Sequence, residues 1–381
     1  MSQPDFTTRR YFPGTHGNPF DLVLRVMDLI EALPAIVFAA LLFGLAVIPT
    51  FGQWPLTFGL WAFCLGDWAL LAALPRAHKS FGPAKPPALN LALLRLPFTW
   101  LPLPFALAAQ IIGTVLVIYG FWIEPHWLTV THQTLCSSKL KPGFKLRLLH
   151  LGDLHIERMT DRERRVIELS RSLKPDIIVF SGDFLNLSNI HDPAAWEECR
   201  SVLKELSAPL GVYVTTGSPA VDQEAVVPQL LAGMPVRWLR DEKITLEHLE
   251  QKFDVAGMWC THKPFIDGPR LQSIIPEQPE RFTILLYHTP DLALEAAKVG
   301  VDLQLSGHTH AGQVRLPFYG AFFAGSLYGK RFEGGRYQVA GLTLYVTRGI
   351  GLEGKGAPRV RFLCPPEIIV WEITGGEPEA K

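Results

Sequence analysis

Ser306-Gly307-His308-Thr309-His310-Ala311-Gly312-Gln313 follows directly on the strand-like run Val301 to Leu305. A strand that ends in two imidazoles flanking a small residue presents nitrogen ligands to metal. Imidazoles at i and i+2 of an extended or turning segment can face two ions roughly 3.5–4 Å apart, the spacing of a two-metal phosphate-ester site. The glycines let the backbone come close. Two solvated histidines in a turn would read the same in isolation, so the neighbouring strand ends decide.

Working upstream, Lys145 to Leu151 alternates and ends in Gly152-Asp153-Leu154-His155, again an acid and an imidazole at i and i+2. Asp176 to Ser181 is a buried-type strand ending in Gly182-Asp183, Gly211 to Thr216 ends in Gly217-Ser218-Pro219-Ala220, and Thr283 to Tyr287 ends in His288. Between them, Asp161–Leu173, Asp192–Leu206, Gln223–Ala232 and Asp291–Val299 carry helical patterns, the second opened by a proline at its favoured first turn. Strands alternating with helices, with polar groups gathered at strand ends, predict a layered α/β domain whose site lies where those ends meet. Tyr337 to Thr374 is strand-rich and antiparallel in character, so the sheets should be mixed.

Composition explains the rest of the chain. Among 381 residues, 36 Lys and Arg balance 36 Asp and Glu, and no clustered basic face suggests nucleic acid. The five cysteines, Cys64, Cys136, Cys199, Cys260 and Cys364, show no metal or disulfide spacing and read as unpaired. Hydrophobic residues make up 48% and crowd into the first third. Ala32 to Gly66 and Leu96 to Ile123 contain no charged residue, and each exceeds the roughly 20 apolar residues of a spanning helix. Breaks at Pro49, Gly52 and Pro55 predict three spans, about Leu33–Thr50, Pro55–Leu74 and Trp100–Trp122. Asp67 within the second is an intramembrane acid, hence a functional candidate or a hydrated interfacial carboxylate.

The expected organisation is a multi-pass membrane domain over 1–124, a linker over 125–144, the α/β domain over 145–374 and a tail over 375–381. Arg9, Arg10 and Arg25 before the first span and Arg76, Lys79, Lys85 and Arg95 before the third place those segments in the cytoplasm. An odd number of spans then puts the α/β domain outside the cytoplasm, although Lys139, Lys141, Lys145 and Arg147 after the third span argue the other way.

The ordered set Asp153-x-His155, Gly182-Asp183, His288 and Gly-His308-x-His310 resembles the calcineurin-like metallophosphoesterases over roughly Lys145 to Thr374. Ser306 to Pro317, Tyr345 to Gly351 and Arg361 to Glu367 resemble the membrane-attached branch of that family, which includes phosphodiesterases similar to those cleaving UDP-diacylglucosamine. The resemblance implies an αββα sandwich and two divalent ions such as Mn, Fe or Zn. The first ion would take Asp153, His155, Asp183 and His310, and the second Asp183, His288 and His308, with Asp183 bridging. It implies a phosphodiester or pyrophosphate substrate, small or lipid-linked, held at a membrane. Asn186 follows Asp183 at the family's interval, or is only a turn residue.

One departure stands out against the family pattern Gly-Asn-His-Asp or Glu. Here Ser218 is a weak neutral ligand, and Pro219 has no side-chain proton to give. The expectation is a weakened second metal site without its usual acid. His262 is a candidate to substitute in space, with a solvated loop histidine as the plain alternative. Arg348 and Lys330, flanked by glycine, are candidate phosphate contacts, or surface residues. A catalytically impaired protein that binds metal and a phosphorylated ligand as a sensor or accessory membrane protein is the alternative to an enzyme.

Overall fold

The computed structural model describes residues 5–12, 15, 17 and 20–376; the expected tail lies almost wholly outside them. The chain forms two compact units. One comprises Pro19–His126 together with Glu353–Phe362, and the other Met1–Asn18, Trp127–Leu352 and Leu363–Lys381.

The helical unit holds α1 (Phe20–Glu31), α2 (Ala35–Thr50), α3 (Trp54–Ala73), α4 (Lys85–Arg95) and α5 (Leu103–Ile118). Two helical stretches, Trp54–Ala73 and Leu103–His126, are long and apolar enough to cross a membrane. α1 and α2 qualify only as a pair, and they bend by 108° at their junction. Two polar pins hold α4, one to the end of α1 and the turn before α2, the other to the end of α2. At one end the Lys85 backbone amide and Nζ donate to Glu31 Oε2 (2.8 Å) and to the Leu33 carbonyl (2.7 Å). At the other, beyond a 3₁₀ turn over Leu96–Trp100, the Trp100 indole donates to the Pro49 carbonyl (3.2 Å). Between the pins Arg95 is buried and forms an ion pair with Asp67 of α3. Arg95 also donates to the Gln110 carbonyl (2.7 Å) and Thr114 Oγ1 (2.8 Å) of α5. The inserted Glu353–Phe362 segment donates from the Arg361 amide to the Gly120 carbonyl (2.9 Å), and Arg359 packs on Gly82.

The other unit contains two six-stranded sheets. In the first, β1 (Thr129–Ser137), β14 (Glu367–Gly375), β2 (Lys145–Leu151), β3 (Ile177–Phe180), β4 (Val212–Val214) and β5 (Arg237–Trp238) lie in that order. In the second, the order is β12 (Gly335–Val339), β13 (Leu342–Val346), β9 (Leu303–Ser306), β8 (Thr283–Leu286), β7 (Gln251–Gly257) and β6 (Glu242–His248). A small hairpin, β10 (Arg315–Leu316) with β11 (Gly320–Ala321), stands apart. The sheets are mixed: β2, β3, β4 and β5 run parallel, as do β7, β8, β9 and β13, with antiparallel joins at β14·β2, β6·β7 and β12·β13. Within the stretch read as an irregular connector, β1 adds a parallel edge to β14.

Alternation along β2 shows how the layers arise. Leu146 and Leu148 enter a core shared with Val255, Ile284, Leu286 and Leu305 of the second sheet. Leu149 and Leu151 face α6 (Asp161–Ser172) and α7 (Pro193–Glu205), which pack with α8 (Val227–Leu231) on the first sheet. α9 (Pro264–Ile274) and α10 (Ala293–Val299) cover the second sheet. Helix, sheet, sheet and helix thus bury both faces of each sheet, which parallel strands require.

Candidate metal centre

Every candidate ligand sits just past the carboxyl end of a parallel strand. Asp153 and His155 follow β2, Asp183 follows β3, and Ser218 follows β4. From the second sheet, His262 follows β7, His288 follows β8, and His308 and His310 follow β9. Asp153, His155, Asp183, His262, His308 and His310 all have positive φ, between 42° and 71°. Such backbone costs on the order of 1–3 kcal/mol per non-glycine residue and persists where surrounding structure enforces it, commonly at functional sites. Glycine makes the approach possible: a Cβ on Gly217 would lie 2.1 Å from Asp183 Oδ1, and one on Gly307 2.5 Å from Asp153 Oδ2.

The side chains converge into three overlapping groups: Asp153, His155 and His310; Asp153, Asp183 and His288; and His262, His288 and His308. Within each group the ligand atoms lie within 4.8 Å of one another. Asp183 links the two halves, with Oδ2 at 3.5 Å from His155 Nε2 and 3.2 Å from His288 Nε2. Ser218 Oγ sits among Asp183 Oδ2 (3.3 Å), His288 Nε2 (3.2 Å) and His308 Nδ1 (3.3 Å). The His262 ring meets His308 edge-on, with centroids 4.5 Å apart.

Bonds on the far side of the rings aim the ligand nitrogens. His288 Nδ1 donates to the Ser181 carbonyl (2.9 Å), which leaves Nε2 facing Asp183. His308 Nε2 pairs with the Gly325 carbonyl (3.2 Å), leaving Nδ1 facing Ser218. The Asp183 loop is braced by Asp222, whose carboxylate accepts from the amides of Asp183 (2.8 Å), Phe184 (3.1 Å) and Gly217 (2.7 Å).

Burial and mutual charge set the electrostatics. Burial pushes the Asp153 carboxyl up to about 6, against the pull of His288. Burial also opposes ionisation of Asp183, but His288 beside it outweighs that and holds Asp183 well below the usual carboxylate range. His288 rises to about 9, burial being overcome by the Asp183 charge. His308 falls to about 3 through burial and the neighbouring His288 charge. The Asp183 charge and the His288 imidazole thus favour each other's ionised forms. His288 Nε2 is where a metal competes with the proton.

The donors fit divalent metal. Oxygen and imidazole nitrogen suit hard and borderline cations. Asp153 Oδ2 is buried with no hydrogen-bond partner among the described residues, a position a cation would satisfy.

Residues 146–312 match the calcineurin-like phosphoesterase family. An uncharacterized metallophosphoesterase of Bacillus subtilis, YkuE, is 31% identical over 266 residues, covering 67% of this chain and 88% of that protein. The chain belongs to the calcineurin-like metallophosphoesterases. The phosphodiesterase YaeI of Escherichia coli is 26% identical over 263 residues, covering 67% of this chain and 92% of its own. The UDP-2,3-diacylglucosamine pyrophosphatase LpxG of Chlamydia trachomatis is 27% identical over 309 residues, covering 66% and 91%. The chain is thus a member of a hydrolase family with the α/β fold and mixed sheets described above.

The remaining sequence candidates in this metallophosphoesterase are placed as follows. Asn186 donates to the Leu352 carbonyl (3.0 Å) and so ties two loops together. The Arg348 guanidinium is taken up by Glu367 (2.8 Å), Thr129 (3.1 Å) and Thr131 (3.3 Å). Lys330 Nζ lies over the Tyr319 ring, 3.4 Å from its centroid. Sequence reasoning missed the bracing role of Asp222, which has no periodicity or spacing to mark it. His262 had one available signal, the apolar run Phe253 to Ala256 before it, which is a strand parallel to the one carrying His288.

Proposed function

We propose that this metallophosphoesterase hydrolyses a phosphodiester or pyrophosphate, lipid-linked and presented at a membrane, at a dinuclear centre. The observation that carries the reading is the convergence of buried carboxylates and imidazoles from both sheets, linked through Asp183. Asp153, His155, Asp183 and His310 would hold the first ion, and Asp183, Ser218, His288 and His308 the second. His262 joins the second set, because its ligand nitrogen groups with those of His288 and His308 and it shares the left-handed backbone of the other ligands. The second site, expected from Ser218 to be weak, thereby gains a third imidazole. Such ions polarise the phosphoryl oxygens and activate water. The protein's own part is to fix Asp183 between the two ligand sets, to hold the imidazole tautomers through Ser181 and Gly325, and to keep the centre buried. YaeI and LpxG carry phosphodiesterase and pyrophosphatase names, which supports this substrate class.

We further propose that the helical unit anchors the chain with four crossings, of which Trp54–Ala73 and Leu103–His126 are long and apolar enough on their own. The Lys85–Trp100 segment is pinned at one end to Glu31 and the α1–α2 turn and at the other to Pro49 of α2, so if α2 crosses, that segment crosses beside it. Each has 16 residues, about 24 Å of helix. An even count returns the chain leaving α5 to the end of the helical unit marked by Glu31, Gly82 and Gly120. That end also carries Arg76, Lys79 and Lys85, whereas the opposite turns at Phe51–Trp54 and Trp100–Leu103 carry no charge. By the positive-inside rule the metal centre then belongs to the cytoplasmic side, the reverse of what an odd count implies.

The test is metal analysis of the full chain in detergent, with hydrolysis of bis(p-nitrophenyl) phosphate in added Mn²⁺ or Zn²⁺. Two ions and turnover that is abolished in Asp183→Asn are expected. A correctly folded protein that binds two ions and turns over no diester or pyrophosphate would overturn the enzymatic reading.

A further inference from the structure

The β10–β11 hairpin is short, and an isolated two-stranded ribbon is marginal in water. It nevertheless exposes Leu316, Phe318, Tyr319, Phe322 and Phe323, with Phe322 64% and Phe323 70% accessible. Scattered exposed apolar residues are ordinary, but a contiguous aromatic patch marks a contact surface. The hairpin base is firmly built. Glu333 takes the Arg315 guanidinium (2.8 Å) and the Ala321 amide (3.3 Å). A Cβ on Gly312 would meet Ala321 and the Phe323 carbonyl at 2.5 Å. The hairpin therefore stands directly on the His310–Gly312 turn, and the chain leaving it reaches Gly325, whose carbonyl holds His308.

The charges at its edge are positive. Lys330 caps Tyr319, and the Arg331 guanidinium lies over Tyr328 and Phe332 at 5.8 and 5.1 Å. The acid at the base, Glu333, takes Arg315 (2.8 Å) and lies 3.9 Å from Lys330 Nζ, while Arg331 has no acidic partner among the described residues. Exposed aromatic rings with cationic heads lying over them are the composition of an element that rests at a lipid headgroup layer. An apolar protein partner would leave Arg331 unmatched and Lys330 with only its 3.9 Å contact to Glu333, whereas an anionic leaflet answers them at about 1 kcal/mol per Lys or Arg near the surface.

We propose that the β10–β11 hairpin dips into the headgroup region of an anionic bilayer, with Lys330 and Arg331 on lipid phosphates, and so brings the rim of the metal centre to the membrane surface. This rests on the membrane attachment proposed above and not on the phosphoesterase chemistry.

The experiment uses the full chain in nanodiscs containing phosphatidylglycerol, in a Cys136→Ser background. A nitrobenzoxadiazole dye is attached to Phe322→Cys, to Glu250→Cys on an exposed turn, or to Ile112→Cys on an exposed face of α5. Quenching by doxyl-labelled lipid is compared with quenching by aqueous iodide. Expected is lipid quenching at position 322 at least threefold above that at 250, falling when phosphatidylcholine replaces phosphatidylglycerol. Quenching at 322 by iodide alone overturns the proposal, as does shielding from both quenchers, which would mean that protein covers the patch. Position 112 separates the two readings: lipid quenching there with none at 322 refutes only the hairpin proposal, and none at 112 refutes the membrane attachment beneath it.

Discussion

Arg95 grips Asp67 through two parallel hydrogen bonds, Nε to Oδ2 and Nη2 to Oδ1, each 2.7 Å, at a site buried among α3, α4 and α5. A paired charge of this kind costs little to keep but much to break, because removal of one partner strands the other in a low-dielectric interior. Asp67→Ala should therefore lower stability in detergent by about 3–5 kcal/mol. Asp67→Leu combined with Arg95→Met should recover most of the loss. Thermal unfolding of the single and double variants checks this, and a double variant no better than the single would show that Asp67 has a role beyond balancing Arg95.

Reporter fusions after Lys79 and after Lys139 should place both on the cytoplasmic side, as four crossings require. A reporter on the turn at Gly52 should lie on the opposite side. Opposite sides for Lys79 and Lys139 would restore the odd count.

At the metal centre, His262→Ala should leave one ion per chain where the wild type holds two, measured by inductively coupled plasma mass spectrometry after gel filtration. Ser218→Ala should change stoichiometry little, since a neutral hydroxyl is a weak ligand. Adding Ser218→Asn to His262→Ala should return the second ion. Two ions in His262→Ala alone would assign His262 to packing against His308.

Asp222 offers a test of bracing as distinct from ligation. It accepts three backbone amides, whereas an asparagine offers one acceptor oxygen and two donors facing donors. Asp222→Asn should weaken metal affinity by about 10–100-fold, the usual consequence of losing an outer-shell partner, while saturating metal restores stoichiometry. A variant that stays at one ion under saturation would make Asp222 a ligand.

These tests fall where the sequence was least legible. Strand ends carrying Asp153-x-His155, Gly182-Asp183 and His308-x-His310 are local patterns, and an apolar run followed by glycine and a ligand reveals them. His262 is harder to read: it stands five residues past the end of β7 at Gly257, and its meaning depends on β7 lying beside β8, a tertiary fact. If α4 crosses as proposed, the sequence hides it, because the countercharge of Arg95 lies on another helix. The return of Glu353–Phe362 to the helical unit likewise leaves no trace in periodicity, being short and rich in glycine, proline and arginine.

Away from the centre, Asp291 sets a pH dependence. Burial raises its carboxyl from 3.8 to about 7, while its Oδ1 accepts from Ser326 Oγ (2.6 Å) and the Leu327 amide (3.0 Å). Because the folded value lies above the unfolded one, the unfolded chain binds fewer protons between these values. This contribution to stability is therefore full below about pH 4 and lost as pH rises towards 7. Asp291→Asn keeps the acceptor and removes the titration. It should melt higher than the wild type at pH 8, by at most about 4 kcal/mol, with the gap closing at pH 4–5. An equal gap at both pH values would locate the effect in packing.

The last prediction concerns the leaving group. By the resemblance, Pro219 would stand where the family pattern has a histidine, and a His262 committed to metal, as proposed, could not deliver a proton. The departing oxygen must then take its proton from water, and loss of one positioned acid typically costs about 10²–10⁴-fold. That cost falls on poor leaving groups, since nitrophenolate departs without protonation. Turnover should therefore drop steeply from nitrophenyl to alkyl diesters. Pro219→His, with Ser218→Asn to rebuild the motif, should raise the alkyl rate far more than the aryl rate. If the wild type shows no such dependence, another group supplies the proton. His262→Ala would then separate the two roles: a selective loss of alkyl turnover with two ions retained would make His262 that acid.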